Sequence, residues 1–390
     1  MPAARTISIA LSCALLALVA GLWLGGHPES LPEPLRSAFV DEEAAARAEL
    51  IETIEENFYE EVDEEALEQA SLKGIVQSLD DRFSQYFTPE ETEALQQSLQ
   101  GEFDGVGMTV DAGDRGLVVV SVFEDSPAEG AGIRPEDVIT RVNGRSIAGV
   151  PLELATARIK GEAGTDVTLT VLRPDSGDRR TVKVERARIV VPITEGEIRR
   201  VDGVELGVVE LSSFSSGAHG QLRQEIERLL EEGAKGLVLD LRDNGGGLLQ
   251  EGVLVASIFI EDGEVVSTDG RTKPERVFEA RGDAIDEDIP VVVLVNRGTA
   301  SASEIVAGAL RDRERAIVAG TRTFGKGVFQ EIEQLDNGGA LDLTVGQYFL
   351  PDGDNLTENG IRPAVRARDL PRTERDEALP IALETLRDEL

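Results

Sequence analysis

Val291-Val292-Val293-Leu294-Val295-Asn296-Arg297-Gly298-Thr299-Ala300-Ser301-Ala302-Ser303-Glu304 carries an unbroken apolar run into a cluster of small residues. Five consecutive aliphatic residues ending at a polar, glycine-containing stretch read as a strand buried on both faces. Ser303 to Arg311 then has helical spacing. Ser301 therefore falls at a strand-to-helix junction, where its hydroxyl can point outward and the free N–H groups of a helix start face the same space. Ser301 with Glu304 also fits an S-x-x-E capping box, which by itself explains a serine here.

The same rhythm recurs upstream. Leu206 to Leu211 reads as a strand and Gly220 to Glu232 as a helix, then Gly236 to Leu241 as a strand and Leu248 to Ile258 as a helix. Alternation of this kind marks a βα core with buried strands, beginning at Ile189. Between the second strand and its helix lies Asp240-Leu241-Arg242-Asp243-Asn244-Gly245-Gly246-Gly247. Such a loop can cradle phosphate, but no lysine follows as a P-loop requires, and the G-x-G-x-x-G pattern fails. Taken alone, the glycines mean a flexible turn.

Lys326 follows Ser301 in Thr323-Phe324-Gly325-Lys326-Gly327, with Gln330 just beyond. By itself it reads as an exposed turn lysine. A serine hydroxyl is a poor nucleophile until a base takes its proton, and a lysine amine can be that base once burial lowers its pKa. The order G-T-A-S-A-S-E, then T-F-G-K-G, then Q resembles the carboxyl-terminal processing (tail-specific) proteases, a serine-lysine peptidase family. That resemblance implies Ser301 as nucleophile, Lys326 as general base and Gln330 as the residue that orients the lysine. Lowering a lysine from about 10.4 to about 7.5 costs roughly 4 kcal/mol, with desolvation the expected source. An uncharged glutamine can hold the amine without restoring its proton, as a carboxylate would.

Acyl transfer also needs N–H donors aimed at the developing oxyanion. The N–H of Ala302, at the helix start after the nucleophile, is one candidate. The stretch from Asp240 matches the family's D-L-R-x-N-x-G-G pattern, which implies Gly246 or Gly247 as the second donor. Leu79 to Glu91 is similar to the family's L-D-x-x-x-S-x-Y-x-x-P-E-E segment, and Thr88, Pro89 and Glu91 fit a capping box with proline at the first helical position. Leu343 to Tyr348 and Asn359-Gly360-Ile361-Arg362-Pro363 match as well, so the resemblance covers residues 40 to 370. It implies a crotonase-like βα spiral for the core. Two departures stand out: Thr299 where a serine is common, which is chemically mild, and Ala364 where an aspartate is frequent, which touches a C-terminal structural contact and not the chemistry.

Histidine offers one rival base. His27 follows the N-terminal apolar segment, outside any folded core, so His219 in Ser215-Ser216-Gly217-Ala218-His219-Gly220 is the candidate for a Ser-His-acid arrangement. A histidine in such a loop is more often simply solvated.

Gly101 to Arg188 reads as a separate β-rich module, with strands at Val118 to Val122, Val167 to Leu172 and Thr181 to Val184. Asn143-Gly144 is a tight hairpin signal. The order S-P-A, A-G-I-R-P-E-D-V-I, V-N-G, then a helix resembles a PDZ domain. Gly105-Val106-Gly107-Met108 then matches the loop that binds a peptide's terminal carboxylate through backbone N–H groups, beside a strand edge that a peptide tail can extend.

The chain has 390 residues, 41% hydrophobic and 29% charged, so a sizeable core is expected and global disorder is not. Its net charge of −35 disfavours nucleic acid and anionic membrane surfaces as partners. Ile7 to Leu24 is an apolar stretch preceded by Arg5, a secretory signal or single membrane anchor with the body outside the cytoplasm. The single cysteine, Cys13, lies inside it, which leaves no disulfide for the folded part. With two scattered histidines, neither a metal nor another cofactor is expected.

The expected organisation is a signal or anchor (1–26), a linker (27–40), an N-terminal helical region (41–100), a PDZ domain (101–188), a serine protease core (189–370) and an acidic C-terminal helix or tail (371–390). The fold class is mixed α+β. The function expected is a serine endopeptidase, anchored or exported to the periplasm or cell surface, that cuts proteins near C-termini captured by its PDZ domain; an oligomer is compatible with this. Two alternatives are a membrane-tethered PDZ scaffold with an inactive core and a hydrolase using His219.

Overall fold

Val291–Val295 is a strand, β15 in chain order, with all five side chains buried. It belongs to a six-stranded sheet with β10 (Thr194–Val201), β11 (Val204–Leu211), β12 (Leu237–Asp240), β16 (Ile317–Gly320) and β19 (Val365–Arg366), ordered β10-β11-β12-β15-β16-β19. Pairing is parallel from β11 to β19, and β10 closes one edge as an antiparallel hairpin with β11. Successive side chains of a strand point to opposite faces. Val291, Val293 and Val295 enter one core with helices α5 (Ala218–Glu231), α6 (Leu249–Ala256) and α7 (Ala302–Asp312). Val292 and Leu294 enter the other, under Ala378, Ala382, Leu383 and Leu386 of α8 (Ala378–Asp388). Burial on both faces is what an uninterrupted apolar run requires. The C-terminal helix is thus the cover of the sheet's second face.

The computed structural model describes residues 50–51, 53–54, 63–369 and 375–390. The chain divides into two compact units, Met1–Arg82 and Phe83–Leu390. In the first, α1 (Glu64–Gln77) starts at Asp63, whose carboxylate accepts from the Glu65 N–H at 3.0 Å. The apolar segment Ile7 to Leu24, Cys13 and His27 lie outside the described residues. Among the described residues no helix is long and apolar enough to cross a membrane.

The second unit opens with β1 (Gln85–Phe87) and α2 (Pro89–Gln100). The expected cap is formed: the Glu91 N–H donates to Thr88 Oγ1 at 3.2 Å, and the Thr88 N–H to Glu91 Oε2 at 2.8 Å. A β-rich module follows, made of β2 (Glu102–Gly105), β3 (Met108–Gly113), β4 (Gly116–Val122), α3 (Pro127–Gly130), β5 (Val138–Val142), β6 (Arg145–Ser146), α4 (Leu152–Ile159), β7 (Asp166–Leu172), β8 (Arg179–Glu185) and β9 (Ala187–Val190). Its sheet runs β3-β4-β5-β7-β8 around a core of its own, including Leu117, Ile139, Val167 and Leu169. Asn143 and Gly144 both take positive φ, 49° and 76°, as a tight β5–β6 hairpin demands. The antiparallel ribbon β2–β9 forms the module's neck.

A further antiparallel sheet was not anticipated. It contains β1, β13 (Glu264–Asp269), β14 (Arg276–Glu279), β17 (Val328–Gln334) and β18 (Ala340–Phe349), with β18 pairing β1 and β13 along one edge and β17 along the other. Its longest strands, β17 and β18, are largely half-buried and carry mixed polar and apolar residues, so neither strict alternation nor a continuous apolar run announces them.

Candidate active site

The site lies where β12 and β15 end, the edge at which open parallel sheets commonly place ligands. Ser301 caps α7 with φ 58° and ψ −120°, a conformation rare for a residue with a side chain. Such a turn persists only where its surroundings over-determine it, and here they do. Asn244, fully buried, accepts on its carbonyl oxygen from the Ala300 N–H at 3.0 Å and from Ser303 Oγ at 2.9 Å. Its amide donates to the Leu211 carbonyl at 2.6 Å. Thr299 Oγ1 donates to the Leu241 carbonyl at 2.7 Å, so the threonine does the bridging work open to a serine. The glycine loop presses against this turn: a Cβ on Gly246 would lie 2.7 Å from Ala300 O and 2.8 Å from Ser301 Cβ.

Glu304 does more than cap. Its carboxyl is fully buried and accepts from four donors. Oε2 takes the Ser301 N–H at 3.1 Å and the Lys326 N–H at 2.9 Å. Oε1 takes Thr323 Oγ1 at 2.5 Å and the Gly325 N–H at 2.9 Å. One side chain therefore ties the backbone of the Ser301 turn to the backbone of the Lys326 loop. Sequence reading gave Glu304 only the capping role, because the second set of donors lies about twenty residues downstream.

Lys326 is half-buried, and its Nζ lies 5.2 Å from the centre of the Phe83 ring, a cation–π distance. The flanking glycines let this loop lie against Leu356–Gly360: a Cβ on Gly327 would sit 2.5 Å from the Thr357 N, and one on Gly325 3.1 Å from Leu356 O. Gln330 stands on β17, where its Nε2 donates to Thr344 Oγ1 at 3.0 Å. Ser301, Ala302, Lys326 and Gln330 line one cavity of about 260 Å³ with Gly247. Among the other wall residues that sequence reading did not single out are Asp342 and Tyr348 from β18 and Leu99 from α2.

The two glycines expected at the oxyanion are distinguished by their bonding. The Gly246 N–H donates to Asn244 Oδ1 at 2.9 Å. Phe214 bridges the same loop through its N–H to Gly246 O, at 3.1 Å, and through its carbonyl from Leu248 N, at 2.9 Å, neither of which uses the Gly247 N–H. His219 is elsewhere: it starts α5, its Nδ1 is 2.8 Å from Glu251 Oε2, and it is not in the cavity wall. In the β-rich module, Gly105-Val106-Gly107-Met108 joins β2 to β3. Gly107 has φ 78°, and a Cβ there would meet Ser126 Cβ at 2.3 Å. β3 ends its sheet, with α4 packed alongside.

Comparison with known proteins accords with this architecture. Peptidase family S41 matches residues 205–367 and the PDZ domain family residues 105–185. The chain is 37% identical over 311 residues to a "Probable CtpA-like serine protease" of Staphylococcus aureus (strain COL), covering 79% of this chain and 62% of that protein. A protein of the same description from Staphylococcus haemolyticus is 36% identical over 313 residues, covering 80% and 62%. The chain thus spans 62% of the length of these curated relatives. Among solved structures it is similar to the photosystem II D1 C-terminal processing protease, with TM-score 0.51 and 30% identity over 89% of this chain and 97% of that one. The chain belongs to peptidase family S41, the carboxyl-terminal processing proteases, and carries a PDZ domain.

Proposed function

We propose that this chain is a serine endopeptidase that cleaves proteins near their C-termini, with Ser301 as nucleophile and Lys326 as general base. The observation that carries the reading is the single cavity whose wall holds Ser301, Lys326 and Gln330. Lys326 takes the proton of Ser301 Oγ, which attacks the scissile carbonyl and forms the tetrahedral oxyanion. The N–H groups of Ala302 and Gly247 receive that charge; Gly247 is preferred over Gly246 because the Gly246 N–H is already engaged by Asn244. Lys326 then protonates the leaving amine, and water repeats the sequence on the acyl-enzyme. Gln330, held through its Nε2 by Thr344, keeps its amide oxygen as the end suited to accept from the lysine amine.

In this reading the PDZ domain captures the substrate's C-terminal tail as an added strand on the edge of β3, with Gly105 to Met108 receiving the terminal carboxylate. The Ile7 to Leu24 segment, as anchor or export signal, puts the activity outside the cytoplasm.

The test is incubation of the full chain, and of its Ser301→Ala and Lys326→Ala variants, with an unfolded protein bearing an apolar C-terminal tail, read by mass spectrometry. Cleavage by the parent alone is expected. Cleavage that persists in both variants overturns the assignment. Tail binding without cleavage by the parent favours a PDZ scaffold instead.

A further inference from the structure

A second cleft, of about 670 Å³, opens where β15, β16 and β19 end, at Val295, Gly320 and Arg366. Five arginines line it, Arg242, Arg297, Arg322, Arg366 and Arg368, against two aspartates, Asp243 and Asp369. Arg242 is spent within the fold: its guanidinium pairs with Asp240 at 2.6 Å, Asp376 at 2.8 Å and Asp369 at 3.2 Å. The other four are exposed, and their side chains make no ion pair or hydrogen bond among the described residues. Asp243, the remaining acid, accepts from the Asn296 amide at 3.0 Å.

The chain holds 74 acidic residues to 39 basic ones, yet no carboxylate is drawn to these four cations. Guanidinium groups gathered around one cleft repel one another until an anion enters. The overall charge repels large polyanions, so the ligand that fits is small. A phosphate-type oxyanion presents more oxygens than a carboxylate and can satisfy several guanidinium forks at once.

The cleft shares its loops with the candidate active site. The loop after β12 places Asp243 in the cleft and Gly247 in the cavity of Ser301. The loop after β15 places Arg297 in the cleft and Ser301 in that cavity, and the loop after β16 divides Arg322 and Lys326 in the same way. We propose that this cleft binds a phosphate-type oxyanion, which braces, through Arg297 and Arg322, the loops that carry Ser301 and Lys326. The bracing rests on the catalytic reading proposed above; the binding does not.

The test titrates inorganic phosphate into the full chain and its Ser301→Ala variant, with ionic strength held constant by sodium chloride. Saturable binding by calorimetry is expected in both, with a Tm rise of about 5 °C at roughly a hundredfold excess over Kd. The double variant Arg297→Gln, Arg366→Gln removes exposed side chains that have no partner in the fold. Its Tm without phosphate should match the parent's, while its Kd rises roughly a hundredfold, about tenfold for each charged hydrogen bond. Absence of saturable binding overturns the site. So does an equal response of parent and double variant, which would be the general stabilisation given by an excluded salt. Cleavage by the parent should gain in kcat over the same phosphate range, with KM little changed; binding without that gain overturns the bracing. Because binding is also read on Ser301→Ala, a failed catalytic assignment leaves the anion site standing. With the site established, displacement of phosphate by phosphatidylglycerol vesicles, but not by phosphatidylcholine ones, identifies a lipid headgroup as the source. No displacement identifies a soluble phosphate.

Discussion

A Cβ added to Gly246 would lie 2.7 Å from the Ala300 carbonyl, and one added to Gly107 2.3 Å from Ser126 Cβ. Both glycines let a loop approach a helix start more closely than any side chain permits, yet the two places are finished differently. Around Gly246, the buried Asn244, Thr299, Ser303 and Glu304 cross-link three loops through side-chain hydrogen bonds. Around Gly107, the loop leads into β3, which ends its sheet. Under the proposed function, the groups on these loops must be held to a fraction of an ångström, which locking from several sides provides. The proposed recognition of a tail by strand addition needs backbone donors that are still available, which a strand at a sheet edge offers.

The sharpest break of this contrast is at Ser301, the nucleophile proposed above. Ser301→Ala should lower turnover by roughly a millionfold, the scale on which a nucleophile acts, while tail binding to the PDZ domain, followed by calorimetry, stays as in the parent. Loss of binding in that variant would mean that the two regions do not act separately. Next in size is Glu304→Gln. A glutamine has one acceptor oxygen for four donors, so two of them face its NH₂. Turnover should fall on the order of a hundredfold from displacement of the reacting groups, and denaturant unfolding should register a loss of about 2–4 kcal/mol. A variant with full activity would show that the lysine loop holds its place without the carboxylate.

Gly107→Ala should leave cleavage of short tail-less peptides unchanged and raise KM for a tailed protein by roughly tenfold, one lost favourable contact in affinity terms. An equal effect on both substrates would place the PDZ loop within the catalytic machinery. The smallest effect is on pH. Burial alone would raise the Asp137 pKa, but its hydrogen bonds from the Arg173 guanidinium, at 2.9 and 2.8 Å, and from the Arg134 N–H outweigh it, so the carboxyl is held below its usual range. A group depressed in the folded state contributes fully above its unfolded pKa of about 3.9, and that contribution is lost as pH falls through the lower folded value. Amide exchange in β5 and β7 should therefore accelerate below about pH 4 in the parent, and Asp137→Asn should flatten that dependence. An identical pH profile in both proteins would remove this ion pair from the domain's stability.

Val291–Val295, the helix after Ser301, the Asn143-Gly144 hairpin and the Thr88 cap were all legible because each is a local rule: one run of aliphatics, one period, one pair of turn residues, one box. The sheet of β1, β13, β14, β17 and β18 was not, since half-buried strands carry no clean period. Glu304 was legible as a cap and illegible as a clamp, because a side chain's second partner depends on which loop the fold returns to it. Sequence by itself determined which residues carry the chemistry-bearing motifs and where strands pass into helices, because period and turn chemistry are written along the chain. Only the tertiary structure decided that Glu304 binds both loops, that Gly246 spends its N–H on Asn244 while Gly247 lines the cavity, and that Asp342 and Tyr348 stand in the same wall as Ser301. Convergence of residues far apart in sequence is set by the closure of the sheets, and no local pattern records it.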